Sequence, residues 1–210
     1  MGIVGGKLMS LIPADDYKNN WPSKDDDAEQ RNATESKLYK ALMVGEEDKV
    51  VIELCNRMPE GPFHSITVHS DSVLHVATYF KRSILVIRLL QEFVDLANAT
   101  RLTRQNDVGN TVLHEVATTK AVAAAAIMLA NSPELLSVPN RLGETALFRA
   151  ARYGKKEMFE FLAARVAEAA EENEEFDLRR HLQRADGTTV LHMAILAEYL
   201  CEFNFSCSLC

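Results

Sequence analysis

The sequence has little of what most protein chemistry requires. It holds 4 Cys and a single Trp in 210 residues. Three of the cysteines, Cys201, Cys207 and Cys210, crowd the last ten positions, far from Cys55. That is not a spaced disulfide framework, and it fits a reducing compartment. No apolar run of about 18 residues or more is present, so no membrane span is expected in this chain. Cations are outnumbered: 23 Lys and Arg against 30 Asp and Glu give a net charge of -7. No basic stripe is visible, which argues against a nucleic-acid partner. The glycines between Gly2 and Gly6 are not followed by the Gly-Lys-Ser/Thr of a phosphate loop. No Ser/His/Asp set stands out. An enzyme is therefore not expected, and no cofactor or metal is assigned.

The two ends offer weak chemical signals. Gly2 invites myristoylation, but the sixth position, where Ser or Thr is wanted, is Gly6. Cys207-Ser208-Leu209-Cys210 has the outline of a prenylation box, but Cys210 is outside the usual final set. Residues 1–36 read as a disordered acidic tail: 1–12 is a short, Gly-rich apolar stretch, and 13–36 is polar and charged with few apolar residues. The acidic runs Asp25–Asp27 and Glu168–Glu175 read as solvated surface.

What is present is a repeated phrase. Thr111-Val112-Leu113-His114-Glu115-Val116-Ala117 recurs as Ser72-Val73-Leu74-His75-Val76-Ala77 and as Thr189-Val190-Leu191-His192-Met193-Ala194. It recurs with Phe148 for the His at Thr145-Ala146-Leu147-Phe148-Arg149-Ala150-Ala151. From His75 through His114 and Phe148 to His192 the spacings are 39, 34 and 44 residues. A period in the thirties with insertions is the signature of a helical solenoid. Each phrase follows a turn, such as Val108-Gly109-Asn110, and opens a short helix that a second helix succeeds.

The spacing divides the chain into a capping repeat at 37–62, repeats at 66–98, 106–139 and 140–180, and an incomplete repeat at 184–210. In the first pair, Gly45 ends one helix and Asp48–Cys55 forms the next, with Val50, Val51 and Leu54 inward. Three His at one repeat position do not make a metal site. Neighbouring helices pack about 8–10 Å apart, and Zn–N bonds are about 2 Å. The His is better placed to bond its own Thr and nearby backbone.

The phrase resembles the Thr-Pro-Leu-His-x-Ala pattern of ankyrin repeats, with Val73, Val112, Ala146 and Val190 at the Pro position. The resemblance implies an all-α solenoid of about four to five helix-turn-helix repeats with β-turn fingers, the last incomplete. Leu38-Tyr39-Lys40-Ala41-Leu42 and the wording around each phrase further resemble plant ankyrin proteins of the accelerated-cell-death and salt-tolerance type, over roughly residues 37–195. That resemblance implies a scaffold for protein partners in defence or stress signalling, located in the cytoplasm at the cytosolic face of the plasma membrane. Members usually continue into a C-terminal membrane domain, so an alternative is the cytosolic regulatory part of a truncated membrane protein.

Partner-binding candidates follow from repeat position on finger tips and first helices. They are Asn110, Glu115 and Thr119 in one repeat, and Glu144, Arg149, Arg152 and Tyr153 in the next. Thr188 joins them from the last. Arg149, Arg152 and Tyr153 are the expected anchors, because Arg and Tyr are enriched at binding hot spots.

Overall fold

The computed structural model describes residues 24–196, which form eleven α-helices and four finger-like turns. The calls on Gly2, on Cys207 and on the residues after Leu196 lie outside the described residues.

Helices α1 (Lys24–Val44) and α2 (Asp48–Cys55) form the first pair. Then come α3 (Val73–Tyr79) with α4 (Ser83–Glu92), and the short α5 (Ala99–Leu102). The pair α6 (Val112–Val116) and α7 (Val122–Asn131) follows, and after it α8 (Ala146–Arg152) and α9 (Lys156–Glu172). Short α10 (Leu178–Leu182) leads to α11 (Val190–Leu196). First helices stack in one row, α1–α3–α6–α8–α11, and second helices stack in another, α4–α7–α9.

Three first helices, α3, α6 and α8, turn the Leu of their phrase inward, while Leu191 of α11 is half exposed. Leu74, Leu113 and Leu147 are fully buried, and the next turn of each helix adds Ala77, Val116 or Ala150. The second-helix row alternates in size. Helices α4 and α9 both pack on α7, and the buried residues are Leu85 and Val86 in α4, Ala124 and Ala125 in α7, and Met158 and Phe159 in α9. Small residues in the central helix let both neighbours approach, and core layers of alternating size interdigitate. Because α7 is covered on two sides, it is apolar around most of its circumference.

Two expectations on the first pair change. The ordered chain begins well before residue 37, since α1 starts at Lys24. No Pro or Gly interrupts residues 24–44, so a helix nucleated where Leu38, Ala41 and Leu42 are buried propagates upstream at little cost. Glu35 helps hold it through a 2.9 Å bond to His64. In α2 the buried face is Val51 and Cys55, while Val50 is exposed. Gly45 ends α1 with φ +80°, and its N–H and that of Glu46 both bond Ala41 O.

Candidate partner-binding face

Each finger is a turn closed in the same way. The backbone N–H of Ile66, Asn106, Asn140 and Arg184 donates to the carbonyl of Asp71, Asn110, Glu144 and Thr188 respectively, at 2.8–2.9 Å. In two fingers a side-chain oxygen at the first position stiffens the loop: Asn106 Oδ1 accepts from Val108 and Asn110, and Asn140 Oδ1 from Leu142 and Glu144. Thr67 Oγ1 does this for the first finger. Arg184 cannot accept, and Asp186 Oδ1 takes the Thr188 N–H instead. Gly109 has φ +81°, and a Cβ there would come within 2.5 Å of Arg141 N. Glycine is thus required both by its backbone and by the next finger lying against it.

The His of the phrase latches one repeat to the next. His114 Nδ1 accepts from Thr111 N at 3.1 Å and lies 2.8 Å from Thr111 Oγ1. The neutral ring therefore carries its proton on Nε2, which donates to Glu144 O at 2.9 Å. His75 repeats this with Ser72 and with Asn110 O. Burial holds both rings below the ordinary His range, His114 at about 4. Phe148 cannot make the latch, and Thr145 Oγ1 is left buried without a partner.

A second ladder runs beside the latches. Asn106 Nδ2 donates to Asp71, Asn140 Nδ2 to Asn110 Oδ1, and Arg184 to Glu144, each bond joining successive fingers. Glu115 accepts from Asn110 Nδ2 and, at 3.1 Å, from Arg149. Arg149 Nε donates to His114 O, and Arg152 donates to Glu144 at 2.8 Å. Desolvation pushes the Glu115 carboxyl above the ordinary glutamate range despite the neighbouring Arg149.

These contacts correct the sequence picture. Asn110, Glu115 and Glu144 are buried, and Arg149 retains 8% of its surface. They are the framework beneath the face, because the neighbouring repeat supplies partners that cover them. Thr119, Arg152 and Thr188 are half-buried, and Tyr153 is 44% exposed. Tyr153 lies beside both guanidiniums, 5.2 Å from Arg149 and 6.0 Å from Arg152.

The exposed residues of this face are partly ones that sequence position did not single out. Tyr39, Val68, Tyr79 and Phe80 line a groove of about 390 Å³. The Tyr79 hydroxyl is fixed by a 2.8 Å bond to Asp71, so the ring stands in one orientation. A second groove of about 550 Å³ begins at Tyr79 and continues past Thr118, Lys120 and Tyr153. Val108 and Leu142 project from finger tips. An apolar residue at the tip of a Gly turn with nothing to bury against is a signal that the sequence does carry.

Fingers latched by a buried His and backed by paired helices define a repeat solenoid. More specifically, residues 74–173 match the family model for ankyrin repeats, in three copies, and the fold is an all-α ankyrin-repeat solenoid. No curated protein matches the chain. Ankyrin repeats are an interaction module, and their presence implies protein partners. Among the described residues no helix is long and apolar enough to cross a membrane, and no group of His, Cys, Asp or Glu could hold a metal ion.

Proposed function

We propose that the chain is a non-catalytic scaffold that holds a protein partner against the fingers and first helices. The carrying observation is the grouping of exposed aromatics on that face. Tyr39, Tyr79, Phe80 and Tyr153 each expose 38–44% of their surface, while the charges beneath them are tied into the repeat framework. Aromatic side chains held in place before binding lose little entropy on complex formation, and Tyr is a common anchor. Of the eight sequence candidates, Thr119, Arg152, Tyr153 and Thr188 remain as direct contacts. Asn110, Glu115, Glu144 and Arg149 act by positioning them.

A photoreactive phenylalanine analogue placed at Tyr79 or Tyr153 tests this. Adducts with the partner should form from those positions and not from Arg88 or Ala130 on the second-helix row. Adducts from the second-helix row alone would refute the choice of face. The plant resemblance supports a finer proposal, a role in defence or stress signalling as the cytosolic part of a longer membrane protein. Transcripts encoding apolar segments of about 20 residues beyond Cys210 would support it, and a stop codon there in every transcript would count against it.

A further inference from the structure

We infer that the second groove takes an extended acidic peptide, with acidic side chains at every third residue. The inference rests on the partner-binding reading of the same face. Lys81, Lys120 and Lys155 each sit at the junction between the two helices of successive repeats, and all three line the groove of about 550 Å³. Among the described residues none of the three makes an ion pair or side-chain hydrogen bond. In a chain of net charge -7, three unpaired cations gathered at one groove run against the overall sign.

The floor of the groove does not cancel them. Its carboxylate, Glu115, is 5% exposed and is already held by Arg149 and Asn110. Arg149 also lines the groove and is the cation paired with Glu115; the remaining lining groups are neutral, Ser83, Tyr79, Tyr153 and three Thr. The row has a direction. Upstream, the equivalent junction carries Glu46 and Glu47, with Arg82 bonded to Glu46 O and to Asp48. Beyond Lys155, the adjoining surface carries Lys156 and one exposed acid, Glu157. Cationic character is thus confined to the three later junctions, while the upstream end opens at Tyr79 into the aromatic groove of Tyr39 and Phe80.

The repeat geometry sets the peptide pattern. Stacked helices lie about 8–10 Å apart, and an extended chain in the polyproline-II conformation advances about 3.1 Å per residue with three residues per turn. Three residues therefore span one repeat and bring the side chain back to the same face, so acids at every third position meet successive lysines. An apolar residue ahead of the first acid would enter the aromatic groove.

Fluorescence anisotropy with two labelled synthetic peptides tests this on the full chain. One carries Leu followed by Glu at every third residue. The other has the same composition with its Glu consecutive. The spaced peptide should bind about tenfold or more tightly than its isomer, a difference of about 1.4 kcal/mol. The Lys81→Glu, Lys120→Glu, Lys155→Glu variant should lose that binding with its helical circular dichroism unchanged. The variant should also gain binding to a peptide with Lys in place of the spaced Glu, which a misfolded variant could not do. Equal binding of the two isomers, or binding undiminished in the variant, would overturn the inference. So would an oligonucleotide of equal charge or an anionic phospholipid vesicle binding as tightly as the spaced peptide. If adducts still form from Tyr79 and Tyr153 while the spaced peptide fails to bind, the acidic chemistry falls and the partner-binding face stands.

Discussion

Replacing Arg149 by Ala should destabilise the protein by about 3 kcal/mol near neutral pH. Its side chain and that of Glu115 are 10% and 7% exposed, so the pair is buried. Removing one member of a buried pair costs about 3–5 kcal/mol, because the other charge stays buried without compensation. The lower end applies here, since Asn110 Nδ2 still donates to Glu115. The loss should depend on pH with a definite sign. Burial already raises the Glu115 pKa in the folded protein. A raised carboxyl binds more protons folded than unfolded, so its favourable contribution is complete below the ordinary glutamate range and is lost as pH rises through the raised value. Without Arg149 the carboxyl rises further. The penalty should therefore be smallest in acid and grow toward neutrality. Urea unfolding followed by helical circular dichroism at several pH values measures both effects. Arg149→Met combined with Glu115→Leu should recover to within about 1 kcal/mol of wild type, because apolar replacement of a buried pair is often neutral. A cost for Arg149→Ala below about 1 kcal/mol, the range of an exposed pair, would refute the reasoning. So would an equal cost in the Glu115→Leu background.

Other perturbations probe the same framework. Gly109→Ala should cost more than Gly45→Ala in urea unfolding. Both have positive φ, but a Cβ on Gly109 meets Arg141 N at 2.5 Å and one on Gly45 meets nothing within 4 Å; the conformational share of each is about 1–2 kcal/mol. His114 is held at about 4, so the unfolded chain takes up its proton first as pH falls. Its contribution is complete above about pH 6.5 and lost on acidification toward about 4, and His114→Phe should flatten that part of a stability–pH curve. The same variant should cost about 1–3 kcal/mol at neutral pH, since it leaves Glu144 O and Thr111 Oγ1 without their ring partner. The Cys55 thiol is buried and pushed up to about 12. Labelling mapped by mass spectrometry should therefore modify Cys55 only as fast as the protein opens.

The repeats were legible because Leu74, Leu113 and Leu147 must be buried and His75 and His114 must bond locally, both within one phrase. The helix bounds followed at Asp48–Cys55. What was not legible lies between phrases. Glu144 looks like a finger-tip acid until Arg184, 40 residues later, is brought to 3.2 Å. Lys81, Lys120 and Lys155 form no stripe in the sequence, and only stacking places them along one groove. Residues 29–36 lack the apolar pattern of a packed helix because they are exposed or half-buried, and they take their conformation from the helix they extend.

Phe148 has a mechanical consequence. At the junctions after His75 and His114, a ring hydrogen bond and a ladder contact resist separation together. At the junction after Phe148, Thr188 O receives no ring, and the ladder contact is the ion pair of Arg184 with Glu144. In an array whose strength is a sum of nearest-neighbour terms, load applied between the ends concentrates at the weakest junction. Stretched from its termini, the array should yield first between α8 and α11, at a force that falls with added salt, and the two latched junctions should rupture afterwards.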